Sequence, residues 1–123
     1  MYKKILFFVV LLLAYLLTNA QEHKISLQSC LKPFYHGVAS GDPLANNVII
    51  WTRVTPDSAQ MTQSVIVSWK VATDTGMMNV VKTGVLLTDS SADFTVKVDV
   101  NGLSPNTVYY YEFQTGNFVS PRG

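Results

Sequence analysis

Two histidines, one cysteine and eight carboxylates are the groups in this 123-residue sequence able to move protons, ligate metals or form covalent intermediates. His23 and His36 lie 13 residues apart and show none of the short ligand spacings of a zinc site. Cys30 has no cysteine companion and no basic-aromatic nest to stabilise a thiolate. Ser40, in Ala39-Ser40-Gly41, lacks the Gly-x-Ser-x-Gly pattern of a nucleophile elbow. Asp42 precedes Pro43, which pushes it toward extended geometry, and follows Gly41, which suits a turn; it reads as a turn or hydrogen-bonding residue. Asp89, Asp93 and Asp99 sit in no calcium-loop pattern. Tyr109-Tyr110-Tyr111 could stack on bases or sugars, but strand alternation turns two of the three inward. Arg53 reads as an ion-pair or domain-interface residue, and Trp51 and Trp69 as core or inter-sheet residues.

Composition narrows the classes further. The length allows one domain and excludes a barrel enzyme or a doubly wound nucleotide-binding protein of ordinary size. Nine basic and eight acidic residues give a net charge of +1, so nothing favours nucleic acid or an anionic membrane. A single cysteine excludes an internal disulfide framework. The N-terminus reads as an export signal over residues 1–20. Lys3-Lys4 supplies the positive start, Ile5 to Leu17 the apolar run, and Thr18-Asn19-Ala20 the small residues before a cut at Gln21. That run spans roughly 20 Å as a helix, short of a ~30 Å hydrocarbon core, which favours a cleaved signal over an anchor. Leu27-Gln28-Ser29-Cys30 is a poor lipid-attachment box. The expected mature product is secreted, periplasmic or in the cell envelope, with no stable membrane insertion after cleavage.

Residues 21–33 have no periodicity and read as a flexible lead-in. Beyond them short strands dominate: Gly37–Ser40, Val48–Val54, Ser64–Thr73, Asn79–Leu87, Phe94–Val100 and Val108–Thr115. Phe94, Val96, Val98 and Val100 alternate most sharply with polar residues. Gly84 marks a bulge or an edge position. Strands of this length between turns predict an all-β, two-sheet sandwich of the fibronectin type III or immunoglobulin-like class. Leu103-Ser104-Pro105-Asn106-Thr107-Val108-Tyr109 fits a tyrosine corner, with the Tyr109 hydroxyl bonded back to its own loop. After the sixth strand only Phe118-Val119 remains before Ser120-Pro121. The last strand is therefore expected to be mostly missing, and the sixth to be an exposed edge.

Three blocks in order carry a family resemblance: Phe34-Tyr35-His36-Gly37-Val38-Ala39-Ser40-Gly41-Asp42-Pro43-Leu44, Val48 to Val54 with its Trp51-Thr52-Arg53, and Val67 to Asp74. With Thr95–Val100 and Tyr109–Phe113 they resemble the N-terminal domain of the alkaline phosphatase D family of PhoD-like phosphatases and phosphodiesterases. The resemblance covers residues 34–123. It implies an exported enzyme whose sandwich precedes a metallophosphoesterase-like catalytic domain, and that domain binds iron and calcium. Asp-x-His and Gly-Asn-His-Asp/Glu blocks are absent here, and Ser40-Gly41-Asp42-Pro43 is the nearest approach to Gly-Asp-x-x. Residues 34–123 are accordingly expected to form a C-terminally truncated sandwich without the catalytic domain. No residue is assigned a catalytic, cofactor-binding or metal-ligating role, and the expected partner is the catalytic domain of the same parent enzyme. The alternative is a stand-alone exported fibronectin-like module that binds protein or glycan.

Overall fold

A computed structural model describes residues 29–123. The expected signal segment 1–20, most of the lead-in and His23 lie outside the described residues. Seven strands follow in order: β1 (Val38–Gly41), β2 (Asn47–Arg53), β3 (Val65–Ala72), β4 (Val80–Thr88), β5 (Thr95–Asn101), β6 (Tyr110–Thr115) and β7 (Phe118–Val119). They form two antiparallel sheets, one ordered β1-β2-β5 and the other β4-β3-β6-β7. This is the two-sheet order of a fibronectin type III-like sandwich, as the strand pattern predicts.

Alternation fixes which side chains meet between the sheets. In β5, Val96, Val98 and Val100 are buried while Thr95, Lys97, Asp99 and Asn101 are exposed. They pack with Ile50 of β2 and with Val67, Val71, Tyr111 and Phe113 of the other sheet. Phe34 enters this core from the segment before β1, and both Phe34 and Phe113 are fully buried. Tyr111 meets Phe113 edge to face at 6.3 Å. Burying each such side chain contributes about 1.5–3 kcal/mol, so the two phenylalanines are major contributors.

Trp51 departs from expectation. It is 43% exposed on the outer face of the first sheet, between Ala39 and Lys97. The cause is the period of two: Ile50 and Thr52 both face inward, so the residue between them cannot. Thr52 is the polar residue on the inner face. Its hydroxyl donates to the Gly37 carbonyl at 2.7 Å, which removes the cost of burial. Trp69 does pack against the core, and its ring lies over Gly84, its register partner on β4. A Cβ built at Gly84 would stand 2.7 Å from three indole atoms. Gly84 is thus a close-approach position on β4, the edge strand of its sheet, so the edge reading holds, while the ladder irregularity falls between Val71 and Ala72.

The last strand is short, but β6 is not left as a bare edge. β7 pairs with Gln114 and Thr115, and the chain then runs on beside β6. Ser120 N–H donates to the Phe113 carbonyl at 2.8 Å, and the Ser120 hydroxyl accepts from Phe113 N–H at 2.9 Å. Pro121 has no N–H to offer the ladder, and the pairing resumes at Gly123, which exchanges two backbone bonds with Tyr111. A buried carboxylate holds this returning segment. Glu112, only 6% exposed, receives Lys70 at 2.9 Å and Arg122 at 3.3 Å. Arg122 also donates to the Thr75 carbonyl in the β3–β4 loop.

Two substitutions test this packing. Gly84→Ala should cost about 1–3 kcal/mol in urea unfolding and alter the Trp69 fluorescence, because the indole must leave its place. Glu112→Gln should cost about 1–3 kcal/mol and speed amide exchange at Gly123, because two cations lose their counter-charge.

Candidate functional site

The signature block runs through β1 from one end of the sandwich to the other. The loop before β1 turns tightly, with Gly37 N–H donating to the Phe34 carbonyl at 2.9 Å and Gly37 at a left-handed φ of 69°. After β1 the chain turns at Asp42, also left-handed at φ 48°, and returns at Leu44, whose N–H donates to the Asn47 carbonyl. Asp42 and Pro43 are exposed turn residues, and Asp42 makes no side-chain hydrogen bond to a described residue. Asn46 reaches across to the β5–β6 loop by accepting from Leu103 N–H at 2.9 Å.

That second loop is the tyrosine corner. The Tyr109 hydroxyl accepts from Ser104 N–H at 2.9 Å, and Leu103 packs against the core. The Ser104 N–H holds the phenol below the ordinary tyrosine pKa. Between the two loops a cleft of about 470 Å³ opens toward the inner faces of both sheets. Leu44, Val48, Ile50, Leu103, Tyr109 and Tyr111 supply much of its apolar wall. Among the described residues no charged side chain lines it. The sequence gives little warning of this cleft, because it arises from two loops about 60 residues apart in a chain of 123.

The other candidates are separated and already engaged. At the opposite end, Arg53 donates through Nε and NH2 to the Asp93 carboxylate, at 3.1 and 2.8 Å. Its NH1 lies 2.8 Å from His36 Nε2; a guanidinium can only donate, so that nitrogen accepts. Arg53 is thus the ion-pairing residue expected of it. Asp89 caps the turn at Ser91, and Asp99 accepts from the Asn47 amide at 3.0 Å. Cys30 is an exposed free thiol. Among the described residues no three His, Cys, Asp or Glu side chains gather as a metal-ligand set. Tyr111 turns inward, as the alternation requires, and Tyr109 packs against the core. Glu112 was not singled out by the sequence reading; its one signal is a carboxylate set among aromatics opposite Lys70.

The carboxylate shifts belong to turn chemistry. Asn79 and Met78 N–H groups lower Asp74, Ser91 lowers Asp89, and the Arg53 guanidinium lowers Asp93, all below the usual 3.8. Folding is therefore favoured above about pH 4, and this contribution is lost as pH falls through the depressed folded-state values. The melting temperature should drop on acidification from pH 5 to about pH 2, and the combined change Asp74→Asn, Asp89→Asn and Asp93→Asn should flatten that slope.

Comparison with known proteins agrees with this architecture. The family model described as "PhoD-like phosphatase, N-terminal domain" matches residues 19–123. Alkaline phosphatase D of Bacillus subtilis (strain 168) is 44% identical over 95 residues, which cover 74% of this chain and 16% of that protein. A solved structure titled "Structure of PhoD" superposes with a TM-score of 0.70 at 41% identity, covering 80% of this chain and 20% of that one. The chain thus spans about a sixth to a fifth of the relatives it matches. Matched over residues 19–123, most of its length, this chain belongs to the PhoD-like phosphatase N-terminal domain family.

Proposed function

We propose that this chain is the non-catalytic N-terminal domain of an exported alkaline phosphatase D-like phosphatase or phosphodiesterase, and that it packs against a metallophosphoesterase catalytic domain. The observation that carries this reading is the match to the N-terminal domain model over residues 19–123, joined to relatives of which the chain covers only 16–20%. Reaction chemistry belongs, in this reading, to the part of the parent protein beyond the match. The iron and calcium that the family resemblance implies would sit there too, where they would supply Lewis-acid stabilisation of the ester oxygens.

The residues of this chain contribute shape. Phe34, Gly37 and Thr52 fix the approach to β1, and the Glu112 cluster fixes the segment that ends at Gly123. A rigid exit direction orients whatever polypeptide continues from it. Export by the general secretory route, directed by residues 1–20, completes the proposal.

The full chain, supplied with iron and calcium, should release no p-nitrophenol from p-nitrophenyl phosphate or its bis-ester above a protein-free blank. Metal-dependent turnover that disappears on Asp42→Asn or His36→Ala would contradict the proposal.

A further inference from the structure

The cleft between the Asp42–Asn46 turn and the tyrosine corner adjoins a free strand edge, and the two features share a geometry. Gly123 N–H donates to the Tyr111 carbonyl at 3.0 Å, and Tyr111 N–H donates to the Gly123 carbonyl at 3.1 Å. They are therefore a hydrogen-bonded antiparallel pair, and the next such position is two residues back at Tyr109, the residue that leads into the sixth strand. Tyr110 is paired with Ala72 of β3, so its peptide groups face β3. Those of Tyr109 then face the side where Gly123 lies. No described residue's backbone bonds to the Tyr109 N–H or carbonyl.

The side-chain faces agree. A Cβ at Gly123 would overlap the Tyr111 ring, so position 123 faces inward with Tyr111 and only glycine fits under that ring. In a strand continuing past it, the first residue faces outward. The second faces inward, beside Tyr109 and at the mouth of the cleft. Tyr109 and Tyr111 both line that cleft, which is about 470 Å³ and is lined by no charged side chain among the described residues. The Tyr109 hydroxyl is already held by Ser104, so its ring presents an apolar wall.

The geometry points to an acceptor groove for one further stretch of β-strand, filled in longer polypeptides of this family by the residues that directly follow Gly123, with an apolar side chain two positions on. This rests on the reading of the chain as an N-terminal domain, because the occupant is the polypeptide that joins it to the rest of such a protein. It identifies the function of the groove as anchoring that junction. Relatives with about four-fifths of their length outside the match supply such a segment. The absence of charge in the cleft selects its chemistry: extended backbone and an aliphatic residue, with no acidic or basic side chain inserted.

The test compares the full chain with two extended forms, one carrying Thr-Val after Gly123 and the other Thr-Asp, each followed by the same short polar tail. Amide hydrogen exchange at Tyr109 is read by NMR. Thr-Val should slow exchange at Tyr109 about tenfold relative to the unextended chain, and Thr-Asp should not. Exchange at Tyr109 unchanged within about twofold by Thr-Val, or slowed equally by Thr-Asp, would overturn the proposal. Protection of Tyr109 in the unextended chain that grows with protein concentration would also overturn it, by assigning the edge to a second copy. No catalytic domain takes part, so a failed groove leaves the family-domain reading standing. Hydrolysis by the chain itself would leave the groove result standing.

Discussion

Two sheets, each with one apolar face, must bury those faces against each other, and strand period allows only every second residue to do so. That constraint places Val96, Val98 and Val100 opposite Val67, Val71 and Phe113. It also forces the exceptions. Thr52 falls on the inner face by its position in β2, and its hydroxyl is buried only because the Gly37 carbonyl waits for it. Trp51 falls on the outer face despite its size. Trp69, on the inner face, needs the empty space over Gly84 to lie flat against the sheet.

The signature segment takes its meaning from the same constraint. Phe34 closes the core from outside the strands, and the left-handed turn at Gly37 sets the carbonyl that satisfies Thr52. At the far end of β1, the Asp42 turn brings Asn46 to Leu103 and so ties the two loops bounding the cleft. Residues that look suited to chemistry are spent on holding loops: Arg53 on Asp93 and His36, Asp89 on Ser91, Asp74 on Met78 and Asn79. The same is true of Glu112, whose Arg122 partner ties the returning segment to β6 and, through the Thr75 carbonyl, to the β3–β4 loop, while Lys70 pairs with it from β3.

Much of this was legible in the sequence. The alternation of Phe94 to Val100 gave β5 and its buried face, and the Leu103–Tyr109 pattern gave the corner hydrogen bond. Strand boundaries moved by a residue or two, as at β4, where Val80–Thr88 replaces the expected 79–87. Phe94 lies before its strand because Asp93 and Phe94 both adopt left-handed backbone to close the turn. The illegible features depend on distant partners. Trp51 is assigned by its neighbours' parity, Gly84 by a ring on another strand, and Glu112 by two cations 42 and 10 residues away. The returning segment could not be read because a serine side chain substitutes for a ladder carbonyl at Phe113 just before a proline.

The central claim is that this sandwich is a structural partner of a phosphatase catalytic domain. Its most direct test replaces the matched segment of Bacillus subtilis alkaline phosphatase D with the corresponding stretch of this chain and follows thermal unfolding of the chimera alongside phosphate-ester hydrolysis. The account predicts an active protein in which sandwich and catalytic part unfold in one transition, above the melting temperature of this chain alone. A chimera in which the sandwich melts separately, at the temperature of the isolated chain, while hydrolysis is unaffected by its loss would contradict it.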